Sequence, residues 1–572
     1  MSARAFAGIA AWLAALVAWV HLPFFTAGGV LGAPGTDVIR AAWGLDHQAR
    51  ALPGLPFWTD RVGFPEGVKI LIMPMVSSVY AAPLRLFLDA IHAYDVWVLA
   101  LLWASGLAAA LLATAVSRSA AGGLLVGTAV VVQPMMLLAV TDGTPEYVAF
   151  WGLPAALLAV WAARRANGLA LPIIAGMALP TMALDSPYNA VFALPFLPLV
   201  FARSTRRNLF VIGVVALVGG LVLLAAYWGL PVGEAGDRRG TNALQLSVWM
   251  QWEARGMTRP WDFTLAPGFI PVATLLGALA LAALRPIRAL PWVLVAAVCL
   301  VFAFGSSPEN PAMIERLWGA GAGKAARAVA DFNEAFPVPV VRFPRRWLVP
   351  GALALGVAAS IGLSRLPKGW PRLVVAIPAA LATAWHTISL TGYREALPRF
   401  DAPTAAFATF VAEHSESGAV LALPLMRGSK TAATRREDLP IFAGLDPAIR
   451  SADQIWIQLA TGRPSVYVPE GLRTMQRRTA REAESDRFLH GLDDLTLPQT
   501  VDRPIPPSAL QEPERRTAAA AHLIERGLRF VILDENLYRE EGLSLAKEAF
   551  AGHIAEERHF DDGTGVTVWV LK

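Results

Sequence analysis

The 572 residues hold one cysteine, Cys299, which excludes a disulfide within the chain and any cysteine-built metal site. Charge is also scarce. Asp, Glu, Lys and Arg make up 16% of the residues, against roughly one quarter in soluble domains. With 55% hydrophobic residues and a mean hydropathy of +0.47, the chain reads as a membrane protein. A pI near 9.5 would suit a nucleic-acid partner, but the placement of the basic residues argues against one.

Apolar runs near the spanning length of about 20 residues recur through the first two thirds. Eleven spans are expected, at about 5–25, 95–116, 121–140, 147–163, 168–184, 188–202, 209–230, 268–284, 289–305, 347–363 and 371–391. Charge tests this parse. With a cytoplasmic N-terminus, the short cytoplasmic loops carry Arg118, Arg164, Arg165, Arg203, Arg206, Arg207, Arg285, Arg288, Arg365, Lys368 and Arg372, and no acidic residue. The short loops opposite, "TDGTPEY" (141–147) and "DSPYN" (185–189), are acidic and lack Lys and Arg. The positive-inside rule therefore places the N-terminus in the cytoplasm and everything after about residue 392 outside. The first span is read as retained, since its apolar run is long for a cleaved signal.

Residues 1–394 are expected to form the transmembrane part, with a long first outer loop at 26–94, and 395–572 an extracytoplasmic α/β domain. In that last part, short apolar runs such as "GAVLALPL" (418–425), "PSVYVP" (464–469), "RFVILDE" (529–535) and "VTVWVLK" (566–572) alternate with helical patterns such as "ERRTAAAAHLIERGL" (514–528). It has no Gly-rich phosphate fingerprint and no Cys/His cluster, so nothing in it proposes catalysis of its own.

The outer acids are the first candidates for chemistry. Asp37 and Glu66 lie in the first outer loop, Asp142 and Glu146 in the second, and Asp185 in the third. Loops of different hairpins can converge on one cavity, where carboxylates serve as a general base or as metal ligands. Thr36 can cap a helix on which Asp37, Arg40, Gly44 and His47 share a face. An acid in a first helical turn also complements the helix dipole without any chemistry, so both readings of Asp37 stand. Asp46 and His47 are expected to be solvated or interfacial, and Asp142 and Asp185 at loop tips to act as capping or topology residues unless the loops converge.

A second constellation is "VPVVRFPRRWLVPGALALG" (338–356), which sets Arg342, Arg345 and Arg346 on the side that the positive-inside rule disfavours. Guanidinium groups kept there suit a phosphate; the plain alternative is snorkelling to lipid headgroups. Lys324 and Arg327 could extend this positive region.

These stretches together resemble the GT-C superfamily of polytopic membrane glycosyltransferases, which use polyprenyl-phosphate-linked sugars, and more narrowly a bacterial branch of it. The likeness is carried by "GTDV" with "WGLDHQARAL" and "LPFWTDRVGFPEGV" in the first loop, by "TDGTPEY" and "LDSPYNAVF", by "FPRRWLVPGALALGVAASIGL" before a late span, and by the "AVLALPL" and "GLRFVIL" strands. The resemblance implies an α-helical bundle with an extracytoplasmic α/β domain in the cytoplasmic membrane. It implies a sugar moved with inversion from a polyprenyl-phosphate donor to a glycan, lipid or protein acceptor on the outer face. By position, Asp37 is the implied general base, and Arg342, Arg345 and Arg346 the donor-phosphate ligands. His47, Asp142, Glu146, Asp185 and Tyr188 are the candidates for an acceptor or divalent-metal site; no Asp-X-Asp pair is present, so a metal is not indicated. A hydrophobic groove between spans would hold the prenyl tail, with stretch 68–91 at the interface as a donor gate. The rival classes are a lipid or glycan transporter, which should carry charge at mid-membrane where these spans have almost none, and a non-catalytic assembly or glycan-binding protein. Membrane lipids are expected partners, and nucleic acid is not.

Overall fold

The computed structural model describes the chain except for residues 28, 33–36, 53–56, 66, 71–73, 203, 228–269, 308, 336–343, 395–398, 401–404, 424–452, 467–484, 486, 490, 493–494, 496–511, 536–537, 539 and 561–564. Thr36, Glu66 and Arg342 fall outside the described residues. The fold is mostly helical.

Among the described residues, seven helices are long and apolar enough to cross a bilayer. They include α1 (Ala3–Val20), α4 (Ala90–Ser117), a broken helix ending in α7 (Gly152–Ala163), α9 (Arg206–Tyr227) and α11 (Pro286–Phe304). The last two contain α14 (Leu348–Leu363) and α15 (Trp370–Thr391). An eighth arises if α5 (Ala120–Val131) and α6 (Pro134–Thr141), bent by 44°, are counted as one span. In this multi-pass membrane protein the eleven expected spans correspond, among the described residues, to seven or eight such helices and two shorter apolar ones, and proline accounts for part of the difference. Pro134 breaks the run at 121–140, because a ring in place of an N–H removes a helical bond and crowds the preceding turn. The run at 188–202 contains Pro195 and Pro198 and splits into Pro187–Ala193 and Leu197–Phe201. Helices α8 (Ala170–Asp185) and α10 (Val272–Ala283) are shorter than a straight crossing needs.

Small residues let the central helices approach. A side chain on Gly127 would begin 2.8 Å from the Gly106 carbonyl oxygen, so α4 and α5 touch backbone to backbone. Hydroxyls reinforce the seam: Ser360 donates to Ser117 at 2.7 Å, and the Trp12 indole donates to Thr128 at 2.9 Å. The helix at the middle of the bundle is α14, buried along almost its whole length.

Between α1 and α4 the first loop is structured rather than loose. It comprises β1 (Val30–Leu31), α2 (Val38–Ala51), a small hairpin of β2 (Trp58–Thr59) and β3 (Val68–Lys69), and α3 (Met75–Ala81). After α11 come two amphipathic helices, α12 (Glu309–Trp318) and α13 (Ala320–Ala335). The C-terminal portion contains β4 (Arg399–Phe400), α16 (Ala406–Glu413), β5 (Ala419–Leu423), α17 (Asp453–Thr461), α18 (Pro513–Glu525), β6 (Leu528–Asp534), α19 (Glu540–Phe550), β7 (Ile554–Phe560) and β8 (Val566–Leu571). Strands β5, β6, β8 and β7 lie in that order in one sheet, the first pair parallel and the others antiparallel. Phe488, Phe550 and Trp569 pack into an apolar core against it.

The first loop joins this sheet. Val62 bridges Ser465, which in turn bridges Val420 of β5, and β1 pairs with β4. Gln458 accepts from the Trp43 indole and donates to the Arg61 carbonyl. Helix α2 is therefore held between the bundle and the C-terminal portion.

Candidate active site

The turn Thr141–Asp142–Gly143–Thr144 ends α6. Gly143 takes φ +67°, and a Cβ there would lie 2.1 Å from the Val38 nitrogen. Only glycine permits so close an approach in that conformation. The Asp37 N–H then donates to the Asp142 carbonyl at 3.1 Å, so two acid-bearing loops meet at their backbones. Asp37 occupies the N-cap position of α2 without making a side-chain cap bond. Its half-exposed carboxylate pairs with Arg40 at 3.3 Å.

A small polar cavity of about 50 Å³ opens beside this junction. Asp142, Glu146, Tyr147, Ser186, Arg345 and Arg346 contribute to its wall. Burial, and secondarily the charge of Asp37, push Asp142 up to about 6 against the opposing pull of Arg346 and Arg345. The Arg346 guanidinium sits 3.3 Å over the Tyr147 ring and 5.3 Å from that of Tyr188, and the two tyrosine rings are 4.7 Å apart. Behind them, Trp347 stacks on Phe302 at 4.7 Å. The arrangement can hold a phosphate against two guanidinium groups with a carboxylate pair alongside.

The residues singled out by sequence distribute unevenly. Asp37, Asp142, Glu146, Tyr188, Arg345 and Arg346 converge on this region. Asp185 does not line the cavity: it is buried and accepts from the Ser77 N–H at 2.8 Å and hydroxyl at 3.1 Å, tying α3 to the end of α8. His47 and Asp46 were expected at a solvated or interfacial position, and both are buried. His47 stacks on Trp43 with centroids 5.5 Å apart. Asp46 is enclosed because three arginines reach it: Arg50 at 2.9 Å, Arg61 at 2.8 Å and Arg85 at 2.7 Å. Burial alone would raise its pKa, but Arg61, then Arg85 and Arg50, bring it below the ordinary carboxylate value. Among the described residues, no three His, Cys, Asp or Glu side chains are grouped to hold a metal ion. The acids that line the cavity, Asp142 and Glu146, face arginines instead, so among the described residues the donor set does not fit a divalent metal.

Sequence reasoning missed Tyr147, Ser186, Asn189 and Gly143. A signal existed for two of them: Tyr147 adjoins Glu146, and Gly143 separates two polar residues in "TDGT".

A second, larger cavity of about 770 Å³ lies between α5, α10, α14 and α15. It is lined mainly by Leu, Ala and Gly, with Gln133 and His386 among its few polar groups. Both cavities border α14: Val349 faces the small one, while Ala352, Leu355 and Ala359 face the large one.

This bundle, with its structured first loop and C-terminal sheet, has a GT-C-like fold, that of a class of membrane glycosyltransferases. Among solved structures, the arabinofuranosyltransferase AftD from Mycobacteria matches over 100% of this chain and 40% of its own, with a TM-score of 0.58 and 16% identity. A mutant of AftD matches with a TM-score of 0.53 and 16% identity, over 100% of this chain and 42% of its own. The chain thus spans about two fifths of the length of the AftD chains. The Archaeoglobus fulgidus oligosaccharyltransferase, in complex with Zn and sulfate, has a TM-score of 0.44 and 14% identity over 98% of this chain and 73% of its own. No protein-family model and no curated protein matches.

Proposed function

We propose that this chain is a membrane glycosyltransferase that moves a sugar from a polyprenyl-phosphate donor to an acceptor at the outer face of the cytoplasmic membrane. The observation that supports this reading is that Asp142, Arg345 and Arg346 line one polar cavity and that Asp37 adjoins it through the backbone bond to Asp142. Sidedness rests on the eleven basic residues assigned to the cytoplasmic loops, a distribution that favours residues 395–572 on the outer side.

In this reading Arg345 and Arg346 bind the donor phosphate and stabilise the charge that grows as it leaves. Arg346 is already oriented by the Tyr147 ring beneath it. The prenyl tail runs along α14 into the large cavity. From Val349 to Ala359 is ten residues, about 15 Å of helix, so head and tail sites share one rigid rod. Asp37, the more exposed acid, takes the proton from the acceptor hydroxyl as its oxygen attacks the anomeric carbon opposite the phosphate, with inversion. Asp142 holds the adjoining negative charge and, pushed up to about 6, must be ionised for this role. Arabinofuranose is the first sugar to test, because the AftD chain is an arabinofuranosyltransferase.

The protein in vesicles, given a radiolabelled polyprenyl-phosphoryl arabinofuranose and an oligoarabinoside, should form a longer product. Asp37→Asn should lower the rate roughly 100-fold or more with folding unchanged. Equal rates for both proteins would remove Asp37 from catalysis. A deletion strain with unaltered envelope glycans and no stored lipid-linked sugar would count against transfer altogether.

A further inference from the structure

The junction between α8 and the short helix Pro187–Ala193 holds a polar group that the fold leaves unused. A residue before proline is steered to extended backbone, and Ser186 takes φ −154° and ψ 115° ahead of Pro187. Its backbone is fixed on both sides: the N–H donates to the Met182 carbonyl at 3.0 Å, and the carbonyl accepts from the Asn189 N–H at 3.0 Å. The preceding residue, Asp185, is held by Ser77. A serine at the start of a helix ordinarily turns its hydroxyl onto the first free N–H groups, yet Ser186 makes no such cap bond. The residue is 1% exposed, and its Oγ has no hydrogen-bond partner among the described residues. Buried hydroxyls in folded proteins are nearly always bonded, because leaving one unmet is unfavourable, so this exception asks for a reason.

Ser186 stands on the wall of the polar cavity, and the other neutral polar side chains of that wall are engaged elsewhere. Thr144 donates to the Ala139 carbonyl at 3.4 Å, Asn189 donates to the Ala149 carbonyl at 3.0 Å, and the Tyr147 ring lies against the Arg346 guanidinium at 3.3 Å. At about 50 Å³ the cavity has room for roughly four oxygen-sized groups, which suits a phosphate better than a sugar ring.

We infer that the Ser186 hydroxyl donates a hydrogen bond to a non-bridging oxygen of the donor phosphate, beside the guanidinium groups of Arg345 and Arg346. The inference rests on the proposed function and adds to it a neutral ligand whose role is aim. The arginines supply charge on long side chains, whereas the hydroxyl sits one bond from a backbone pinned at both ends, so it fixes which way the phosphate turns its scissile oxygen. The hydroxyl is unmet in the empty protein and bonded once the phosphate arrives. Its removal should therefore weaken binding without weakening the fold, a pair of effects that a serine kept for structure does not give.

Farnesyl phosphate and farnesol, titrated by calorimetry into the full chain in detergent micelles, separate the phosphate from the tail. Ser186→Ala should bind farnesyl phosphate roughly tenfold or more weakly and farnesol as the native protein does. Free of ligand, it should unfold at the same temperature or higher. Ser186→Cys, which keeps the shape but donates weakly, should also lose most of the affinity. Equal affinity of Ser186→Ala and the native protein for farnesyl phosphate overturns the inference. So does a lower unfolding temperature of ligand-free Ser186→Ala, or a parallel loss of farnesol binding. Arg346→Gln tells this failure from that of the proposed function. If Arg346→Gln loses farnesyl phosphate and Ser186→Ala does not, the phosphate site stands and the serine is dismissed from it. A native protein that binds farnesyl phosphate no better than farnesol removes both.

Discussion

Asp46 holds the first outer loop together, because its arginines come from three places: α2 itself, the β2–β3 hairpin and the turn before α4. Removing one partner of a buried charge group typically costs about 3–5 kcal/mol. Asp46→Asn should accordingly lower the thermal unfolding midpoint by several degrees. Since the folded pKa of Asp46 lies below the unfolded value, its contribution is present at neutral pH and is lost as the pH falls through that lowered value. Protection factors over residues 38–51, which correct exchange for its intrinsic dependence on pH, should stay flat from pH 8 to 5 and fall only in stronger acid. Asp142 behaves oppositely, since burial raises it to about 6. In a transferase that needs Asp142 ionised, the rate should climb through about pH 6, and a pH–rate profile flat from 5 to 7 would contradict that role. At this scale, the converging acids and Arg345 and Arg346 were legible in the sequence because charge on the disfavoured side of a membrane protein stands out. The burial of Asp46 and His47 was not. Two of the three arginines that enclose Asp46 lie 15 and 39 residues away, and no local pattern reports such pairings.

Elements were legible where an apolar run met no interruption. Helices α4, α9, α11 and α15 fall close to the runs that forecast them. Among the described residues, runs at 121–140 and 188–202 that held proline appear as broken helices, because hydropathy averages over the very residue that breaks the helix. What the runs also conceal is how closely helices approach. Gly106 and Gly127 face each other across α4 and α5, where an added Cβ on Gly127 would lie 2.8 Å from the opposing carbonyl oxygen. Gly127→Val should destabilise the bundle by about 1–3 kcal/mol, as overpacking does. Fluorescence-detected size exclusion after heating would register the loss. At the turn between α6 and α7, Gly143→Ala should part the two acid loops while leaving the spans intact, visible as faster exchange at Asp37 and Val38 with an unchanged helical signal.

At the level of the whole molecule, the boundary drawn at residue 394 separates composition rather than mechanics. Strand pairing between Val30 and Phe400, the ladder from Val62 through Ser465 to Val420, and the Gln458 contacts make the first loop part of the C-terminal body as much as of the bundle. Sequence could not reveal this, since the partners lie some 400 residues apart. Gln458→Leu would leave the Trp43 indole and the Arg61 carbonyl without this partner, each buried polar group costing about 1–3 kcal/mol. Exchange should then rise together in residues 38–51 and 419–423, a correlated loosening that two independent bodies would not give.

The shared rod α14 has a kinetic corollary. The turn that leads into it, Pro344–Trp347, bears the two arginines and its later turns wall the greasy chamber, so a carrier stripped of its sugar would occupy the same berth as a loaded one. Spent lipid would leave slowly, turnover would be limited by its departure, and adding free polyprenyl phosphate should slow the reaction competitively.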